Sequence, residues 1–253
     1  MIVMKFGGTS VGNGQCIKEV ARIVSKHVQE HGPVAVVVSA MSGVTDALLR
    51  AAHTAAAGDS QTYREVRAAL SRQHQVAIQE CLPDGPRRHV LSDEIETLLD
   101  WLTQLCRSIH ILGELTPRGR DAVAALGERI SVRLVAAAMR EMGLPTEVVE
   151  ATQLIVTDDH FGHASPLMPR TCEQTRQRLQ PLLEEGVVPV VTGFIGATEE
   201  GVITTLGRGG SDYSAAIIGR CLEAEEIWIW TDVDGVMTAD PRLVPEARTL
   251  PRI

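Results

Sequence analysis

The chain has 253 residues, 44% of them hydrophobic, which is ample for one large domain or two small ones. Its formal net charge of -8, with 22% charged residues, excludes an extended nucleic-acid surface, because such surfaces depend on dense Lys and Arg. No stretch approaches the roughly 18 apolar residues of a membrane span, and the N-terminus lacks the basic-then-apolar plan of a signal peptide, so a cytoplasmic protein without nucleic-acid or membrane partners is expected. Residues Ile2, Val3 and Met4 form a short apolar strand that runs through Lys5 and Phe6 into Gly7-Gly8-Thr9-Ser10. An amphipathic helix follows over Gln15 to His31. Strand, glycine turn, hydroxyls and helix are the parts of a phosphate site: glycines let backbone N–H groups approach an anion, and the helix start adds free donors and a positive dipole end. The lysine precedes the glycines, so this is not a P-loop, and an ordinary turn would look the same.

Val34 to Val38 is a β-branched run, as in a strand buried on both faces. It ends in a small-residue loop, Ser39 to Asp46, before a helix over Ala47 to Ala57. From Asp59 to about Gly113 the pattern is helical, broken at Leu82 to Pro86, and reads as an inserted layer, a lid or an interface. One helix is expected over Arg118 to Met142, stopping at Gly143. Short strands at Glu147–Val149 and Gln153–Val156 lead to a loop over 157–169 and a helix over Thr171–Glu185. A strand at Val187–Val191, a hairpin over Phe194–Thr205, a helix over Tyr213–Leu222 and a strand at Ile227–Trp230 complete the pattern. Alternating strands and helices imply a mainly parallel sheet covered on both faces, and no linker separates two domains. Loops 7–14, 39–46, 206–212 and 231–235 then fall at strand carboxyl ends, where such sheets bind ligands.

Within those loops several residue types suit an anionic or zwitterionic ligand. Arg208 lies between glycines in Gly207-Arg208-Gly209-Gly210-Ser211-Asp212, where a guanidinium beside bare backbone fits a carboxylate or phosphate. Ser211 or Asp212 could instead merely cap the next helix. Glu128 stands in a small, apolar helical stretch and could hold an ammonium group, although a lone helical Glu is usually solvated. Thr231-Asp232-Val233-Asp234-Gly235 suits a Mg²⁺, a ribose or a plain turn. His160 and His163 lack the partners of a metal site, and none is expected. The five cysteines, Cys16, Cys81, Cys106, Cys172 and Cys221, are scattered without a C-x-x-C pair and are expected as reduced thiols packed like small hydrophobes.

Taken together, Lys5 to Val11, the Ser39–Asp46 loop, Gly127-Glu128-Arg129, Gly193-Phe194, Leu206 to Asp212 and Trp230 to Asp240 resemble the aspartokinases, a branch of the amino-acid kinase fold, in the family's order along nearly the whole chain. The resemblance implies an α/β three-layer αβα sandwich with a mainly parallel central sheet and a helical insertion at 59–113. It implies ATP-dependent phosphorylation of the L-aspartate β-carboxylate, the first step of lysine, threonine and methionine biosynthesis, with Mg²⁺ accompanying ATP. By the same resemblance Lys5 and Asp212 are catalytic, and Lys5 with Gly7, Gly8 and Ser10 contacts the phosphates. Ser39, Thr45, Glu128, Arg208 and Ser211 hold aspartate, while Thr231, Asp232, Met237 and Arg242 line the nucleotide side. Met237 stands where the family usually has a tyrosine. A homo-oligomer, specifically a dimer, is expected.

The family also continues beyond residue 253 into a nucleotide-binding F-G-A-K segment and paired ACT regulatory domains. Residues 1–253 are therefore expected to form a truncated catalytic domain, with weak turnover and no feedback inhibition. The rival readings are a catalytically silent nucleotide-binding or oligomerisation module, and a sibling kinase acting on acetylglutamate, glutamate or UMP. An NAD-dependent dehydrogenase is disfavoured, because no G-x-G-x-x-G turn follows the first strand.

Overall fold

The computed structural model describes residues 1–231, 235, 237–239, 243–244 and 246–250. Its central sheet is built from β1 (Ile2–Phe6), β2 (Val34–Val38), β3 (Thr146–Val149), β5 (Val188–Thr192) and β8 (Glu226–Trp230), in the order β3-β5-β2-β1-β8. All four neighbouring pairs are parallel. A smaller sheet pairs β4 (Val156–Thr157), β6 (Ile195–Thr198) and β7 (Ile203–Thr205).

Successive side chains of a strand point to opposite faces, and here each face has its own core. Ile2, Met4, Phe6, Val34, Val36 and Val38 pack on one side. There they meet α1 (Gly14–His31), α2 (Val44–Ala56), α3 (Thr62–Cys81), α4 (Pro86–Leu112) and α6 (Leu126–Glu141), through Ile17, Leu48, Leu70, Leu99 and Leu134. Val3, Ala35 and Val37 pack on the other, against Leu179 of α7 (Met168–Glu184), Ile217 of α8 (Gly210–Cys221) and Ile195 of β6. The expected three-layer arrangement is thus present. Segment 59–113 forms α3 and α4, whose apolar residues belong to the main core, so it is an outer layer of this face.

Three expectations are corrected. The single helix over 118–142 is two, α5 (Pro117–Ala124) and α6, abutting at Ala125, whose N–H donates to the Asp121 carbonyl and whose carbonyl accepts from Arg129 N–H. The strand expected at Gln153–Val156 is a 3-10 turn, Ala151–Gln153, followed by the two-residue β4. Its path is set by the Thr192 hydroxyl, which accepts the Ala151 N–H at 2.7 Å. Five free thiols are replaced by three, because Cys172 and Cys221 form a disulfide between α7 and α8, with Cα atoms 4.5 Å apart. Packing of those two helices on one sheet face brings together cysteines that are 49 residues apart. Burial pushes the Cys81 thiol up to about 12 and that of Cys106 to about 11, so both remain protonated and inert.

Candidate active site

The carboxyl ends of β1 and β2, the starts of α2 and α8, and one face of α5–α6 enclose a cavity of about 610 Å³. Its lining contains Lys5, Gly8, Ser39, Thr45, Glu128, Arg208, Ser211 and Asp212, which are spread over more than two hundred positions of sequence. Lys5 has the same strand parity as Val3, so it points to the α8 side of the sheet. Its Nζ lies 2.6 Å from Asp212 Oδ1, on the first turn of α8.

That helix starts earlier than the sequence pattern suggests. Its N-cap is Gly209, in the left-handed region at φ 75°, and no side chain caps it. Asp212 is therefore not the cap, and its carboxylate is turned to Lys5 instead. Gly207 is also left-handed, at φ 79°, and a Cβ there would lie 2.4 Å from His163 Nδ1. Two glycines in conformations costly to other residues thus flank Arg208 and set where its stem leaves the backbone.

Glu128 is buried in α6, and its Oε1 accepts the Ala40 N–H at 3.1 Å. Its Oε2 has no partner among the described residues. Burial pushes the carboxyl up to about 7, and the Ala40 N–H opposes this only in part. Gly127 makes the approach possible, since a Cβ there would lie 2.7 Å from Ala40 Cβ. An unpaired, buried carboxylate oxygen facing a cavity costs free energy until a cation reaches it.

The first glycine loop leads into the start of α1. Asn13 caps α1 by accepting the Cys16 N–H at 2.9 Å, and Gly14 N–H donates to Glu80 Oε2 at 2.9 Å. Two of the N–H groups in the first turn of α1 are therefore taken by protein side chains. The helix starts on the cavity wall are those of α2, with Thr45, and α8, with Ser211. Gly8 packs against the Ala40 carbonyl and accepts the Ser42 N–H at 3.2 Å, joining the first two loops. Gly7 donates to the Trp230 carbonyl at 3.4 Å and, like Ser10, Thr231 and Met237, is outside the cavity lining. Thr231 follows β8, and Met237 pairs with Thr249 in an isolated bridge. Asp232, Asp234 and Arg242 lie outside the described residues.

Asp121 was not anticipated from sequence. It lines the same cavity, is buried, and accepts three hydrogen bonds. A usable signal was present: it precedes Glu128 by seven residues, two helical turns, and shares its face.

The amino acid kinase family model matches residues 1–253. The chain belongs to that family. It is 36% identical over 252 residues to aspartokinase 2, chloroplastic, of Arabidopsis thaliana, covering 98% of this chain and 45% of that protein. It is 35% identical over 253 residues to lysine-sensitive aspartokinase 3 of Escherichia coli (strain K12), covering 100% of this chain and 54% of that one. Among solved structures it resembles E. coli aspartokinase III in complex with aspartate and ADP (R-state), with a TM-score of 0.89 at 32% identity over 99% of this chain and 53% of the other. The same enzyme in complex with lysine and aspartate (T-state) gives 0.85 at 33%, over 99% and 53%. The chain spans about half the length of the curated relatives it matches. This member of the family therefore has the mainly parallel, helix-covered sheet found in E. coli aspartokinase III.

Proposed function

We propose that residues 1–253 carry the catalytic site of an aspartokinase, which transfers the γ-phosphoryl group of ATP to the β-carboxylate of L-aspartate. The observation that carries this reading is the unpartnered, buried Oε2 of Glu128, in one cavity with Arg208 and the Lys5–Asp212 pair. An α-amino acid needs an anion for its ammonium and a cation for its α-carboxylate, and Glu128 and Arg208 supply them. The complexes of E. coli aspartokinase III with aspartate and ADP support the same choice of ligands.

The acceptor needs no general base, because a carboxylate with an ordinary pKa near 4 is already ionised at pH 7. What opposes the reaction is repulsion between that carboxylate and the γ-phosphate. Phosphoryl transfer is mostly positioning and charge stabilisation. Lys5 supplies the positive charge, Asp212 holds its ammonium in place, and the starts of α2 and α8 add backbone donors. Ser39, Thr45 and Ser211 offer hydroxyls to the substrate. Mg²⁺ bound with ATP would neutralise phosphate charge. Asp212 is the carboxylate that meets Lys5 on the cavity wall. Gly7, Gly8, Ser10, Thr231, Asp232, Met237 and Arg242 remain our assignment for the nucleotide side. A cytoplasmic dimer belongs to the same proposal.

The test is aspartate-dependent ADP release in a coupled assay, with acetylglutamate, glutamate and UMP as competing acceptors. ADP release with aspartate alone supports the reading. Release with another acceptor of the panel makes the chain a sibling kinase, and nucleotide binding without transfer makes it a silent module.

A further inference from the structure

We propose that Asp121 is a positioning residue that fixes the distance between the two ends of the amino-acid site. The inference rests on the aspartokinase reading and extends it to a residue that contacts neither reacting group. Asp121 is 1% exposed, on α5. Its Oδ2 accepts the Gly162 N–H at 2.8 Å and the Thr205 N–H at 2.9 Å, and its Oδ1 accepts the Thr205 hydroxyl at 2.9 Å. It forms no ion pair with a described residue, so its oxygens serve as acceptors.

Those three bonds join three walls of the cavity. Asp121 is two turns from Glu128 on the nearly continuous α5–α6 rod, which carries the anionic end. Thr205 closes β7 and is followed by Leu206, Gly207 and Arg208, the cationic end. Gly162 and His163 belong to the loop against which Gly207 packs, with the Gly162 carbonyl 3.2 Å from a Cβ placed there. Without Asp121 nothing in the hydrogen-bond pattern of the described residues ties Thr205 N–H to α5, which leads through Ala125 into the helix that holds Glu128. The Glu128–Arg208 spacing would then drift, and a misplacement of about 1 Å is costly in a preorganised site.

The two natural substitutions separate geometry from charge. In Asp121→Asn the amide oxygen can take the place of Oδ2 and accept both N–H groups, while its NH₂ donates to the Thr205 hydroxyl. Asp121→Ala loses all three bonds. In steady-state kinetics Asp121→Ala is expected to raise the aspartate KM about tenfold or more, with kcat and the ATP KM changed by no more than about twofold. Asp121→Asn stays within about threefold of wild type, because its neutral bonds are only somewhat weaker. If the Asn variant is as impaired as Ala, charge and not position is what the site needs, and the inference is overturned. It is overturned too if Ala lowers kcat at unchanged KM, the pattern of a smaller folded fraction. Should Asp121→Ala fail to fold, Thr205→Val carries the test: a several-fold rise in aspartate KM supports the inference, and an unchanged KM overturns it. Failure of the aspartokinase reading looks different, since the wild type itself then lacks aspartate-dependent ADP release, and the inference falls with it.

Discussion

Glu128 combines two properties that rarely meet in one side chain: full burial and an unused hydrogen-bond acceptor. Its carboxyl is raised from the usual 4.5 to about 7 by burial, so in the ligand-free protein it keeps a proton that the unfolded chain has lost. Stability therefore falls as pH rises from about 4.5 through 7, the reverse of a salt-bridged carboxylate. Glu128→Gln should lose less stability than wild type between pH 5 and 8, by on the order of 3 kcal/mol, read from urea unfolding at each pH. Binding of the substrate ammonium favours the ionised form. Aspartate affinity should accordingly weaken by up to about tenfold per unit as pH falls below 7, with proton release visible in calorimetry across buffers. A pH-independent affinity from 5.5 to 8 would remove Glu128 from the ammonium role. Lys5 and Arg208 divide the remaining work. Lys5→Ala should lower kcat far more than it raises the aspartate KM, because the γ-phosphate charge it meets develops during transfer. Arg208→Ala should chiefly raise that KM, and the opposite split would exchange the two roles.

At the scale of elements, the site depends on how closely α6 can approach the end of β2. Gly127 permits contact with Ala40, and that contact brings Glu128 to the Ala40 N–H. Gly127→Ala places a methyl carbon 2.7 Å from Ala40 Cβ, between two backbones that have little room to yield. The expected loss is about 1–3 kcal/mol of stability by overpacking, measured by chemical denaturation, together with a raised aspartate KM as Glu128 withdraws. An unchanged KM in a destabilised variant would uncouple that approach from binding. Helix starts show a similar dependence on neighbours. The start of α1 looks available in sequence, yet Asn13 and Glu80 of α3 occupy two of its donors, whereas α2 and α8 begin at left-handed glycines without a side-chain cap and face the cavity.

For the molecule as a whole, the Cys172–Cys221 link closes a 49-residue separation that includes β5, β6, β7 and most of α8. Chain-entropy reasoning assigns such a loop at most ~4 kcal/mol. Thiol titration of the unfolded, unreduced chain should find three reactive cysteines, and five after a dithiol reductant, with a lower Tm in the reduced form. Five thiols before reduction would show that the pair is not joined. Much of the rest was readable beforehand. The continuous burial of β2 on both faces, the glycine-flanked Arg208 and the order of motifs follow from residue type and spacing, because an unbroken apolar run and backbone permission are local properties. Even Glu128 and Lys5 could be singled out as unusual residues in apolar or glycine-rich surroundings. Their roles could not be separated from ordinary ones, since whether Glu128 is solvated or buried depends on what packs over it. Only the fold decides that Asp212 meets Lys5 and does not cap α8, that Asp121 joins three cavity walls, that the Gly14 N–H of α1 goes to Glu80, and that two distant cysteines meet. Each of these is a contact between residues far apart in sequence, and its energy exists only once the sheet and its two helical layers have brought the partners within hydrogen-bonding or bonding distance.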